Sequence, residues 1–107
     1  LEEHYQEYFD TNSPSPYMSR ICKVKTDKVP GITHIDNTAR IQTVNKQFNE
    51  KFYNIINEFY KITGIPMLLN TSFNCQEPIV ETPEQAIKTF NKTALDVLVI
   101  NDCVVKK

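Results

Sequence analysis

The stretch Gly64-Ile-Pro-Met-Leu-Leu-Asn-Thr-Ser-Phe-Asn-Cys-Gln-Glu-Pro-Ile-Val-Glu-Thr-Pro-Glu-Gln-Ala86 decides how this chain is read. Its apolar start, Pro66 to Asn70, has the composition of a buried strand. It opens abruptly into Asn70-Thr71-Ser72-Phe73-Asn74, where four of five side chains carry hydrogen-bonding groups. A helix start follows at Thr82-Pro83-Glu84-Gln85. Thr82 is the cap, Pro83 suits the first turn, and Gln85 reaches back to complete a capping box. Strand, polar loop and helix in that order form one unit of an α/β sheet, in which ligands gather outside the carboxyl ends of strands. Ser72 and Asn74 bring a hydroxyl and an amide to that end, suited to an anion or a nucleotide. Ordinary turns use the same residue types.

Working outward, the clearest helix precedes this stretch, from about Lys46 to Thr63. Phe48, Phe52, Ile55, Ile56, Phe59 and Ile62 recur at three and four residues and make one apolar stripe. Asn45 is the expected cap, Gly64 the left-handed stop, and Pro66 prevents continuation. After the stretch, Ala86, Ile87 and Phe90 give the next helix its inner face. Residues 94–101, ALDVLVIN, read as a largely buried strand, with a short return strand over Cys103 to Val105. Upstream, residues 17–25 alternate as a strand. Thr33 to Val44 forms a second extended piece, clearest over Ala39 to Val44, with a turn at Asp36-Asn37. Residues 1–10 read as a helix, and the Thr11 to Pro16 segment as the one linker-like stretch. The order is helix, strands, helix, strand, helix, strand. It predicts an α/β fold: a twisted mixed sheet, partly parallel, with crossover helices.

Composition sets limits on function. The chain has 107 residues, enough for one domain or part of one. A hydrophobic fraction of 40% and an aromatic fraction of 10% suit a folded globule rather than a disordered chain. The net charge is −1 with both signs interspersed, which argues against nucleic-acid and membrane-surface binding. No apolar run is long enough to span a bilayer. Cys22, Cys75 and Cys103 are odd in number and lack CxxC spacing, so neither a disulfide framework nor a zinc site is expected. They read as reduced thiols of a cytoplasmic protein, in or near the core.

Several segments together resemble the C-terminal domain of the O-carbamoyltransferase family, which includes the nodulation-factor and antibiotic-biosynthesis carbamoyltransferases. They are Ser15 to Met18 (SPYM), Thr33 to Val44 (THIDNTARIQTV), Gly64 to Asn74 and Glu77 to Ala86, in the family's order. The resemblance covers nearly the whole chain. It implies a fold similar to the threonylcarbamoyl-AMP synthases, of which residues 1–107 are the C-terminal part of an adenylation-type domain. It implies that carbamoyl phosphate and ATP form carbamoyl adenylate there, and that a large N-terminal transferase domain passes the carbamoyl group to a hydroxyl acceptor. The family's basic segment precedes the region matching Leu1. The chain is therefore expected to be the end of a longer enzyme and inactive alone, with exposed apolar surface that favours a homo-oligomer.

The resemblance assigns Ser72-Phe73-Asn74 to a serine-any-asparagine signature that contacts nucleotide and phosphates, and Arg40 to phosphate binding. A reaction between an acyl phosphate and the α-phosphate of ATP crowds negative charge, which arginine and amide donors stabilise. Mg²⁺ is expected to bridge the ATP phosphates. No residue is assigned as a metal ligand. Many relatives have a glycine before the Glu-Pro-Ile-Val segment, which the loop Cys75-Gln76 lacks.

The remaining polar residues read as structural. His34 beside Asp36 lacks a third partner for acid–base work. His4 reads as a solvated helix residue and Tyr53 and Tyr60 as edge-of-core aromatics, while Glu77 and Glu81, which could approach magnesium, read as solvated carboxylates. Two other functions remain open. One is a docking module that binds no nucleotide of its own. The other is an RNA-modifying, threonylcarbamoyl-AMP synthase-type protein, which the absence of a basic stretch disfavours.

Overall fold

The computed structural model describes residues 1–107, which form two compact units, Leu1–Leu69 and Asn70–Lys107. Both mix helix and strand, in keeping with the α/β reading. The strand ladders within each unit are antiparallel, so the expected parallel crossovers are not what join them. Residues 101–102 alone join the last two strands, a connection that permits only antiparallel neighbours, and no α-helix lies between any of the paired strands to carry a crossover.

The first unit opens with a 3-10 turn, Glu2–His4, and a single helical turn α1, Tyr5–Tyr8. The expected longer helix ends there because the chain extends at once into β1, Phe9–Asp10. Strands β2, Arg20–Val24, and β3, Thr38–Ile41, complete a sheet ordered β1-β2-β3. The register pairs Phe9 with Val24, and Cys22 with Ala39. Partners across a ladder share a face. These four therefore point inward, forming a core with Val29 and Ile41.

The segment Thr11 to Pro16 is not a free linker. Ser15 is buried, its N–H donates to Thr43 Oγ1 at 3.0 Å, and the Thr43 N–H donates to the Ser15 carbonyl at 2.9 Å. The exchange satisfies buried polar groups that would otherwise cost stability.

Helix α2 covers Glu50–Thr63. Its cap is Asn49, whose side chain accepts from the Phe52 N–H at 3.3 Å. Asn45, the expected cap, instead organises the preceding turn, accepting from the Gln47 N–H at 2.8 Å. Gly64 ends the helix at φ 72°, as expected. Only one edge of the apolar stripe is covered. Ile56 joins Leu1 and Val44, with Phe52, Tyr53 and Tyr60 packed against them. Phe48, Ile55 and Ile62 are exposed, and Phe59 is partly so.

Residues 65–69 form no strand. Pro66 has no N–H to give a ladder. The segment is held by the Leu1 nitrogen donating to the Pro66 carbonyl at 2.7 Å, and by Ile65 and Met67 packing on the sheet core. Leu69 is exposed.

The second unit contains α3, Pro83–Lys92, and the hairpin β4, Val97–Ile100, with β5, Cys103–Lys106. Thr82 caps α3 by accepting from the Gln85 N–H at 3.2 Å. Gln85 reaches back one residue further than a capping box requires, to the Glu81 N–H at 2.9 Å. The inner face of α3 is Ala86, Thr89 and Phe90, with Ile87 exposed instead of buried. Phe90, Ala86 and Leu98 form the core, and Phe73 and Val80 pack against it. β4 alternates rather than being largely buried: Leu98 faces in while Val97 and Val99 face out. Cys22 is buried as expected, but Cys75 and Cys103 are exposed free thiols.

Candidate functional site

Arg40 belongs to the first unit and Ser72 and Asn74 to the second. In β3 the burial alternates, with Ala39 and Ile41 inward and Arg40 outward. Arg40 pairs with Ile21, and the same outer face carries Lys23, paired with Thr38. Lys23 and Arg40 are thus diagonal neighbours on adjacent strands, within reach of a shared anion. The guanidinium takes part in neither ion pair of the molecule, His4–Glu7 or Lys61–Glu58. An exposed, unpaired arginine beside a lysine retains its full donor fork for phosphate oxygens. Nothing in the local sequence marks Lys23 as a phosphate ligand. Period-two alternation sets it on the face opposite Cys22, but only the register sets it beside Arg40.

The Ser72 and Asn74 side chains meet directly. Ser72 Oγ donates to Asn74 Oδ1 at 2.6 Å, and Asn74 Nδ2 donates to the Glu77 carbonyl at 2.8 Å. The Glu77 carbonyl can only accept, so it fixes which end of the Asn74 amide faces it. The Val80 N–H closes the loop onto the Phe73 carbonyl at 3.0 Å. The Ser72 hydroxyl proton is engaged, yet both of its oxygen lone pairs and one Asn74 N–H remain to meet a ligand.

Glu77 is more than the solvated carboxylate expected from sequence. It is exposed but well partnered. Its own backbone N–H, then the Thr89 hydroxyl, then the Gln76 N–H hold the carboxyl down from the usual 4.5 to about 2. Thr89 Oγ1 donates at 2.8 Å and the Gln76 N–H at 3.0 Å. Hydrogen bonds to the charged form favour it.

His34 and Asp36 do not form an acid–base pair. Both turn toward Thr38: its hydroxyl lies 3.1 Å from His34 Nδ1 and donates to Asp36 Oδ1 at 2.6 Å. The Thr38 hydroxyl, and then its N–H, lower the Asp36 carboxyl. These contacts set the turn in which Asn37 takes φ 62°. His4 is less solvated than expected, packing edge-on against Tyr60 at 4.9 Å. The Tyr53 hydroxyl donates to Glu3.

Two concavities of the first unit do not suit a nucleotide. One, about 30 Å³ and bounded by Leu1, Phe9 and Pro66, has room for little more than a water. The other is an open groove lined by Glu2, Glu3 and Lys46, whose two carboxylates repel phosphate. No group of three metal-ligating side chains occurs. No helix is long and apolar enough to cross a membrane.

The model of the family described as carbamoyltransferase C-terminus matches residues 1–107. This chain belongs to that family. Among relatives of the carbamoyltransferase C-terminus chain is nodulation protein NolNO of Sinorhizobium fredii (strain NBRC 101917 / NGR234). The two are 42% identical over 114 residues, covering 100% of this chain and 17% of the relative. Nodulation protein NolO of Bradyrhizobium diazoefficiens is 43% identical over 114 residues, covering 100% of this chain and 21% of the relative. Nodulation protein U of Sinorhizobium fredii is 39% identical over 77 residues, covering 69% of this chain and 14% of the relative. The carbamoyltransferase C-terminus chain therefore spans about a fifth or less of the curated relatives it matches.

Proposed function

We propose that this chain is the nucleotide-handling end of an O-carbamoyltransferase and helps to form carbamoyl adenylate from carbamoyl phosphate and ATP. Carbamoyl phosphate loses its phosphate to water, leaving carbamate. A carbamate oxygen then attacks the α-phosphorus of ATP, and the bond to pyrophosphate breaks. The acceptor hydroxyl attacks the carbamoyl carbon in the N-terminal transferase domain, and AMP leaves. In this reading Arg40 holds phosphate oxygens in a bidentate grip, and Ser72 and Asn74 contact nucleotide or phosphate.

The supporting observation is the pre-ordered Ser72–Asn74 pair in a chain of this family. Pre-ordering lowers the cost of fixing side chains when a ligand arrives. The chain offers no cluster of metal-ligating side chains, so Mg²⁺ fits as a companion of the ATP phosphates rather than in a protein cage. There it would neutralise charge on the phosphates.

A docking role accompanies this one. The uncovered edge of α2, Ile55, Phe59 and Ile62, is an apolar strip at helical spacing, of the kind that packs on another element. The relatives are several times longer than this chain, which makes the rest of the polypeptide its proposed cover.

The test is carbamoyl-phosphate-dependent exchange of label between pyrophosphate and ATP in the full-length protein. Exchange that disappears in Ser72→Ala and Asn74→Ala supports the reading. Wild-type exchange in both variants overturns it.

A further inference from the structure

We infer that Glu77 and Thr89 are positioning residues that lock the Ser72–Asn74 loop onto α3 in its ligand-ready form. The inference rests on the nucleotide-contacting role proposed for Ser72 and Asn74.

Thr89 is 1% exposed and lies between Ala86 and Phe90 on the apolar face of its helix. A hydroxyl there is costly unless it is bonded. Helical threonines usually bond a carbonyl one turn back. Thr63, the last residue of α2, and Thr93, just past the end of α3, do so, donating to the Phe59 and Thr89 carbonyls at 2.8 and 2.9 Å. Thr89 does not. It reaches twelve residues back to Glu77 Oε1 at 2.8 Å.

Glu77 then acts through two groups. Its carboxylate also accepts from the Gln76 N–H at 3.0 Å. Its backbone carbonyl, followed by Pro78 and outside any ladder, accepts from Asn74 Nδ2 at 2.8 Å. The chain of bonds runs from the helix core through Thr89, Glu77 and Asn74 to Ser72. The carboxyl held near 2 means that this clamp is charged throughout the neutral range. The loop thus takes its rigidity from an anchor buried in the unit's own core.

Two observations separate this role from simple packing. Valine matches threonine in shape but lacks the hydroxyl, whereas serine keeps the hydroxyl and loses a methyl. A packing role ranks Thr89→Val above Thr89→Ser, and a positioning role ranks them the other way. Glu77 is exposed, so Glu77→Gln tests the same clamp without touching the core.

The experiment measures KM for ATP and kcat in the full-length protein, using pyrophosphate exchange, for Glu77→Gln, Thr89→Val, Thr89→Ser, Ser72→Ala and Asn74→Ala. Glu77→Gln and Thr89→Val are expected to raise KM roughly tenfold with kcat nearly kept, and Thr89→Ser to remain near wild type, as for loss of a group that orients a binding residue. If Thr89→Val does not fold, the Glu77→Gln result decides. An unchanged KM in Glu77→Gln while Ser72→Ala is impaired overturns the positioning role and leaves the site reading standing. Loss in Thr89→Ser equal to that in Thr89→Val also overturns it. Wild-type kinetics in both Ser72→Ala and Asn74→Ala overturn the site reading and this inference together.

Discussion

Ile56 and Ile62 lie on the same apolar stripe of α2, yet Ile56 is 4% exposed and Ile62 is 83% exposed. The six-residue spacing turns them about a third of a revolution apart, so one faces Leu1 and Val44 while the other faces outward. A stripe wider than its covered edge separates stability from docking along one helix.

Ile56→Ala is expected to lower unfolding free energy by about 2–5 kcal/mol, the usual range for truncating a buried isoleucine. Ile62→Ala is expected to stay within about 0.5 kcal/mol, as for a surface change. Urea unfolding of both variants of the chain checks this. Equal losses would mean that the two faces are covered alike.

Arg40→Lys is expected to impair pyrophosphate exchange in the full-length protein almost as much as Arg40→Ala, because lysine keeps the charge and loses the fork. Neither change should shift the melting temperature measurably, since Arg40 is exposed and has no ion-pair partner. Wild-type exchange in Arg40→Lys would show that charge alone is sufficient.

Acid should loosen the Glu77 clamp. Its carboxyl is held below its unfolded value, so its stabilising contribution is present above about 4.5 and is lost as pH falls through about 2. Asp36 is lowered too and works in the same direction. Wild type and Glu77→Gln should therefore differ most in chemical-denaturant midpoint near neutral pH and converge toward pH 2. A constant difference across that window would assign the effect to something other than the charge.

Carbamoyl transfer is expected to be undetectable for residues 1–107 alone, which span about a fifth or less of the matched relatives. Product analysis with ATP, carbamoyl phosphate and a panel of hydroxyl acceptors tests this. Turnover by the isolated chain would place the complete catalytic set within these residues.

Gly64→Ala is expected to cost about 1 kcal/mol, because the residue stands at φ 72° with nothing within 4 Å of an added Cβ. The cost is backbone strain rather than a clash. Thermal melting should show it, and an unchanged midpoint would mean that the helix end relaxes.

What the sequence determined by itself was local. Thr82 before Pro83 stops the backbone N–H groups of α3 from being orphaned, and Gly64 takes the left-handed end of α2, because each depends on neighbours within four residues. The motif around Ser72 and Asn74 was legible for the same reason, as a short run of polar groups after an apolar one. Tertiary structure decided what distant segments share. It turned the Ile65–Met67 segment into packing without a ladder and left Ile87, Cys75 and Cys103 exposed. It set Lys23 beside Arg40 through strand register. It also joined Thr89 to Glu77, twelve residues apart, which no periodicity predicts. Burial of a face depends on what lies opposite it, and that partner is fixed only when the chain folds back on itself.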